Sequence, residues 1–67
     1  MNKDMFEGNW KQIKGRIKEK WGELTENEVA QIEGKKDVLV GRLQEKYGMT
    51  RNEAEHEIND FLKEIDV

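Results

Sequence analysis

The feature that most restricts the fold of this chain is an internal repeat. Residues 7–22, EGNWKQIKGRIKEKWG, return 26 positions later as residues 33–48, EGKKDVLVGRLQEKYG. The identical pairs are Glu7/Glu33, Gly8/Gly34, Gly15/Gly41, Arg16/Arg42, Glu19/Glu45, Lys20/Lys46 and Gly22/Gly48. Three further pairs exchange similar residues, namely Ile13/Leu39, Ile17/Leu43 and Trp21/Tyr47. A repeat this short indicates one supersecondary unit present twice, each copy too small to bury its own apolar face.

The first copy of the repeat carries a helical pattern of apolar residues. Their spacings of four, three, four and four residues place them on one helical stripe, formed by Phe6, Trp10, Ile13, Ile17 and Trp21. Asp4 and Glu7 resemble a capping box at the start of this helix. Gly22 is predicted to end it, because glycine is common just after a helix.

Two further capping boxes divide the rest of the chain. Thr25 with Glu28 predicts a short helix over residues 26–33, with Leu24 and Val29 as a hydrophobic staple. A third helix is predicted over residues 35–47, ending at Gly48. Thr50 with Glu53 then predicts a last helix over residues 51–65.

No alternating pattern typical of a strand occurs, so we predict an all-α protein. The expected architecture is a small four-helix bundle of two packed helical hairpins, related by the internal repeat. One shared core is expected to bury Ile13, Ile17, Trp21, Leu39, Leu43 and Tyr47.

The composition limits the class of protein. At 67 residues the chain is expected to be a single domain, residues 1–67, of modest stability. Charged residues make up 40% of it and the mean hydropathy is −1.04, which is close to the range of disordered chains. Cysteine is absent, which excludes disulfides and thiolate metal sites. No apolar run resembles a signal peptide or a membrane span, so we expect a cytoplasmic protein and no membrane partner.

The net charge of −3 is unevenly distributed. Residues 1–22 contain six basic and three acidic residues, whereas residues 23–67 contain six basic and twelve acidic residues. The first helix is therefore expected to be the basic part of an acidic protein.

Several motifs together resemble the CsbD-like family of small bacterial proteins, over roughly residues 1–58. They are Gly8-Asn9-Trp10-Lys11-Gln12, Glu19-Lys20-Trp21-Gly22, Leu24-Thr25, Ile32-Glu33-Gly34-Lys35 and residues 41–48, GRLQEKYG. The resemblance implies an all-helical bundle of two orthogonally packed hairpins. It also implies a cytoplasmic bacterial protein associated with the general stress response. It supplies no catalytic residue. The chain departs from the family pattern at Val38, where a polar residue is expected, and after Ile58.

Lys11, Lys14 and Lys18 fall on one flank of the first helix and form a candidate nucleic-acid-binding ridge. The acidic net charge opposes this interpretation, and charged flanks occur on any amphipathic helix. A non-enzymatic stress protein that protects or weakly binds other proteins is the first hypothesis, and a nucleic-acid-binding module is the alternative. Trp10, Trp21 and Tyr47 could stack on bases, but their place on the apolar stripes favours the core.

The sequence specifies no catalytic residue, no cofactor and no metal site. Serine and cysteine are absent, and Thr25 and Thr50 serve as caps. His56, the one histidine, is expected to face solvent on an acidic helix face. One imidazole among carboxylates at loose spacing is a weak indication of a metal site. No partner is identified, and we expect a monomer.

Gly15 and Gly41 fall in the middle of predicted helices, where glycine is unfavourable. Either the core compensates for this cost, or a partner approaches the bare backbone. The surface around Val38 and Gly41 is expected to be mostly polar and exposed.

Overall fold

The fold is entirely helical over the part of the chain that can be described. The structure, a computed structural model, describes the backbone of residues 3–65 and the side chains of residues 6–65. This range contains five helices and no strand: α1 (Lys3–Gly8), α2 (Trp10–Lys20), α3 (Glu26–Ile32), α4 (Lys36–Tyr47) and α5 (Arg51–Ile65). The predicted all-α class is therefore confirmed. The side chain of Asp4, and with it the capping box proposed for the first helix, lies outside the described side chains.

The prediction of four helices is wrong because the first predicted helix is divided at Asn9. α1 ends at Gly8, and Asn9 takes φ −109° and ψ 17° before α2 begins. The Asn9 carbonyl accepts hydrogen bonds from the Gln12 and Ile13 amides at 3.0 and 2.9 Å, as an N-cap does. Gly8 is a weak helix former and the backbone of Asn9 is not helical, so the two helices separate at this pair.

The two internal capping boxes form as predicted. The Thr25 amide donates to Glu28 Oε1 at 2.9 Å, and the Glu28 amide donates to Thr25 Oγ1 at 3.1 Å. Thr50 and Glu53 repeat this arrangement at 2.8 and 3.1 Å. These bonds satisfy amides that have no partner within the helix. They fix where α3 and α5 begin.

The turn between α3 and α4 brings the two halves of the chain together. Glu33 and Gly34 both adopt left-handed backbone conformations, at φ 52° and 75°. A Cβ atom on Gly34 would lie 3.4 Å from Glu7 Cα and 3.5 Å from Trp10 Cβ. The junction of α1 and α2 therefore rests on this turn.

Neighbouring helices pack in chain order, and α1 also contacts α4. Fourteen hydrophobic side chains among those described are buried in one cluster: Phe6, Ile13, Ile17, Trp21, Leu24, Val29, Ile32, Leu39, Val40, Leu43, Ala54, Ile58, Phe61 and Leu62. This confirms five of the six predicted core residues. The Trp21 and Phe61 rings lie 5.0 Å apart, which connects the end of α2 to α5.

The prediction that Tyr47 is buried is wrong. Its side chain is 38% exposed, whereas Trp21, the equivalent residue in the first copy, is 3% exposed. The Tyr47 hydroxyl accepts a hydrogen bond from the Glu23 amide at 3.2 Å, in the loop between α2 and α3. A tyrosine can remain at a surface because its hydroxyl is polar. Tyr47 therefore contacts the edge of the bundle instead of filling its core.

Candidate functional site on the lysine face of α2

α2 has one apolar side and one basic side. Ile13 and Ile17 point into the core, and the flank of the helix beside them presents Lys11, Lys14 and Lys18. Lys11 and Lys14 are exposed and Lys18 is half-buried. Seven residues of helix separate the first lysine from the last, so this lysine face is about 10 Å long at 1.5 Å per residue. The structure thus brings the three predicted lysines together on one stripe.

The lysines of this lysine face form no ion pair, whereas three basic residues elsewhere among side chains 6–65 do. Arg42 contacts Glu45 and Lys46 contacts Glu28, each at 3.1 Å, while Arg51 contacts Glu55 at 3.7 Å. Among the ion pairs of side chains 6–65, none involves Lys11, Lys14 or Lys18. Their charges are therefore available to an external anion.

The lysine face borders a shallow groove between α2 and α3, here called the α2–α3 groove. It is lined by Lys14, Gly15, Lys18, Glu26, Val29 and Ala30. Val29 is 6% exposed and contributes apolar surface, and Ala30 is exposed beside it. No heavy atom lies within 4 Å of the position that a Gly15 Cβ would occupy. The groove therefore combines two cations, one carboxylate and a floor of small or apolar groups.

Sequence reasoning did not place Glu26 or Ala30 beside the lysines. Their proximity depends on how α3 crosses α2, which no local pattern determines. The available signal was Ala30 itself, a small apolar residue on the polar side of its helix.

The aromatic residues do not form a stacking platform next to this face. Trp21 is buried against Phe61, as its place on the apolar stripe predicted. Trp10 is half-buried and its ring lies 5.6 Å from that of Phe6. Lys20 Nζ lies 5.7 Å from the centre of the Trp21 ring, a cation–π contact at the edge of the core. The core interpretation is confirmed for Trp21 and holds in part for Trp10.

His56 faces solvent, as predicted. Its side chain is 79% exposed and its Nε2 lies 3.4 Å from Asp60 Oδ2, one helical turn away. Among the side chains of residues 6–65, no three histidine or carboxylate groups converge in a way that could hold a metal ion. The acidic side of α5 is therefore a solvated helix face.

The surface around Gly41 is exposed and mostly polar, as predicted. No heavy atom lies within 4 Å of the position that a Gly41 Cβ would occupy, and the neighbouring depression is lined by Val38, Arg42 and Glu45. Val38 is half-buried and packs partly against the core. Arg42 donates hydrogen bonds to Gln31 at 2.7 Å and Glu45 at 3.1 Å. The cation on this face therefore already has partners.

The pKa of the Glu28 carboxyl group is lowered in the folded protein. The hydrogen bond from the Thr25 amide lowers its pKa below the ordinary value of 4.5, and the Lys46 ammonium lowers the pKa further. Its negative charge therefore supports both the α3 cap and the contact between α3 and α4. This is a structural role.

No helix within residues 3–65 has the length and apolar character needed to cross a membrane.

Comparison with known proteins identifies the chain's relatives. The model of the CsbD-like family matches residues 4–56. The UPF0337 protein YjbJ of Escherichia coli O6:H1 is 52% identical over 66 residues, which cover 98% of this chain and 96% of YjbJ. A UPF0337 protein of Pectobacterium atrosepticum is 57% identical and one of Protochlamydia amoebophila is 51% identical. Each of these two alignments covers 91% of this chain, and they cover 88% and 92% of the relatives. The chain therefore belongs to the CsbD-like family.

Proposed function

We propose that this protein is a non-enzymatic, cytoplasmic member of the bacterial general stress response that protects or weakly binds other proteins. Membership of the CsbD-like family is the observation that carries the proposal. The arrangement of side chains is compatible with it. Every buried side chain among residues 6–65 is hydrophobic, and the charged groups lie on the surface. Exposed carboxylates stay solvated, without the apolar pocket that prepares a catalytic acid or base.

A protection assay tests this proposal. A labile enzyme is dried or heated with increasing amounts of this protein, and its remaining activity is compared with that of samples containing equal masses of an unrelated small protein. We expect greater recovery with this protein. Equal recovery at every ratio would remove the protective form of the proposal. Crosslinking in stressed cells, followed by mass spectrometry, would then decide whether weak protein binding remains.

We also propose that residues 1–67 act as one monomeric domain in which α2–α3 and α4–α5 are two copies of one hairpin. In support, each pair of helices is joined through a threonine capping box. Sequence alignment of the copies pairs Ile13 with Leu39 and Val29 with Ala54. Nuclear Overhauser contacts between Ile13 and Val29 should therefore be matched by contacts between Leu39 and Ala54. Unmatched contacts would contradict the repeat in three dimensions.

The second candidate function is nucleic-acid binding by Lys11, Lys14 and Lys18. The observation that favours it is that the three lysines share one helix face and form no ion pair. Titration with duplex and single-stranded DNA at low salt tests it. Three phosphate contacts would give a log–log salt slope of roughly −2 to −3. A triple Lys→Glu variant should lose both the binding and the slope, and unchanged binding would exclude this surface.

A further inference from the structure

The two copies of the repeat differ on the surface where the α2–α3 groove lies. Lys11, Lys14 and Lys18 correspond to Asp37, Val40 and Gln44. With the one-residue shift after the last repeat glycine, Ala30 corresponds to Glu55. The lysines that border the groove and the small side chain of Ala30 therefore occur only in the first copy.

Features that the copies share are largely explained by stability. The paired isoleucine and leucine positions are buried, and both capping boxes are formed. The lysines of the first copy have no such explanation, since they form no ion pair and do not enter the core. An external contact would explain why one copy carries them.

We propose that the α2–α3 groove binds a short acidic segment of a partner protein. This inference rests on the proposed function of weak protein binding and names its surface. Carboxylates of the segment contact Lys14 and Lys18, and a small apolar residue between them lies over Val29 and Ala30. The exposed Gly15 leaves room for the backbone of the segment to approach α2 closely.

The spacing of the two lysines suits such a segment. Lys14 and Lys18 are one helical turn apart, a rise of about 6 Å. Carboxylates four residues apart on a helix have the same rise. Carboxylates two residues apart on an extended strand are separated by roughly 6.5 to 7 Å. Either form can place one carboxylate on each ammonium group.

The charge around the groove favours a short acidic peptide over a nucleic acid. Glu26 lines the same groove, and residues 23–67 carry twelve acidic against six basic residues. A long polyanion extends beyond the lysines and meets this negative surface. A peptide that ends at the rim of the groove does not.

Amide chemical-shift titration of the full-length protein tests the proposal. The probes are a short helical alanine peptide with glutamate at every fourth position, the same peptide with glutamine in place of glutamate, and an oligothymidylate of similar length. We expect the glutamate peptide to bind weakly, with a dissociation constant on the order of 1–10 mM, because exposed ion pairs contribute little free energy. The shifts should centre on Lys14, Gly15, Lys18 and Ala30, and the glutamine peptide should not bind.

Two pairs of variants distinguish binding in the α2–α3 groove from general effects of net charge and of Gly→Ala substitution. Lys14→Glu with Lys18→Glu should weaken peptide binding about tenfold. Lys35→Glu with Lys63→Glu changes the net charge equally at exposed sites elsewhere and should weaken it far less. Gly15→Ala should weaken binding because the methyl occupies the groove, whereas Gly41→Ala, at the equivalent position outside it, should bind like the parent.

Binding of the oligothymidylate but not of the glutamate peptide would overturn the proposal. So would equal weakening by both lysine pairs, or peptide shifts centred elsewhere. The proposed function is tested separately, because protection or crosslinking that persists in the Lys14→Glu, Lys18→Glu variant would leave weak protein binding intact while excluding this groove. A thermal melt of each variant, with a Tm no lower than that of the parent, shows that lost binding is not lost folding.

Discussion

Replacing Gly41 by alanine should stabilise the protein. Gly41 lies in the middle of α4, is exposed, and has no heavy atom within 4 Å of the position of an added Cβ. The methyl group therefore enters open space. Alanine is favoured over glycine in a helix interior by up to about 1 kcal/mol, and it also reduces the freedom of the unfolded chain. We expect a gain of about 0.4–1 kcal/mol in the free energy of unfolding.

The change in Tm that corresponds to this gain can be worked out from the length of the chain. An unfolding entropy of about 2.1 cal/mol/K per residue gives roughly 0.14 kcal/mol/K for the 67 residues. A gain of about 0.4–1 kcal/mol then raises Tm by about 3–7 °C. Circular dichroism at 222 nm, a wavelength chosen for helix content, measures the melt, and urea unfolding supplies the free energy independently.

Gly34→Ala is the matched control, because the same atoms are added in the opposite environment. Gly34 has φ 75° and would place its methyl 3.4 Å from Glu7 Cα, a backbone atom. The left-handed conformation alone costs a non-glycine residue about 1–2 kcal/mol, so Tm should fall by roughly 7–14 °C. A stabilised Gly34→Ala variant would contradict the described turn.

A lower Tm for Gly41→Ala would refute the reasoning about its surface. The dependence of that Tm on protein concentration would identify the cause. A concentration-dependent decrease means that a second subunit packs against this face of α4, and the protein is then not a monomer. A decrease independent of concentration means that part of the chain covers Gly41.

Four other substitutions test the core, its edge and one cap. Ile17→Ala and Leu43→Ala should each cost about 2–5 kcal/mol by urea unfolding, since both side chains are fully buried, and a melt within a few degrees of the parent would refute the core. Tyr47→Phe should cost at most about 1 kcal/mol, because it removes one exposed hydrogen bond to the Glu23 amide; a loss as large as that of a core variant would contradict its position at the edge. The pKa of Glu28 is lowered in the folded state, so its contribution is present above the ordinary pKa of 4.5 and is lost as pH falls through the folded value. Glu28→Gln should therefore be less stable than the parent at neutral pH, and the difference should shrink in acid; a difference that stays constant across the pH range would argue against this linkage.

The sequence by itself determined where most helices begin and which side of each is buried. Thr25 and Thr50 mark the starts of α3 and α5, because a capping box joins groups only three residues apart. Ile17 and Leu43 were recognised as core residues from helical spacing, which repeats over one or two turns. Such interactions are local, so the order of residues is sufficient to predict them. The exception is the division at Asn9, where the continuous apolar stripe concealed a local break.

Only the tertiary structure decided how equivalent residues of the two copies differ. Trp21 is buried because Phe61 of α5 covers it, whereas Tyr47 ends at the edge of the bundle with its hydroxyl on the Glu23 amide. The surroundings of the α2 lysines also depend on tertiary structure, because the groove beside them forms only where α3 packs against α2. Burial and surface shape depend on which distant element lies opposite a side chain. Two copies of one sequence pattern therefore acquire different surroundings, because different elements of the folded bundle lie opposite each copy.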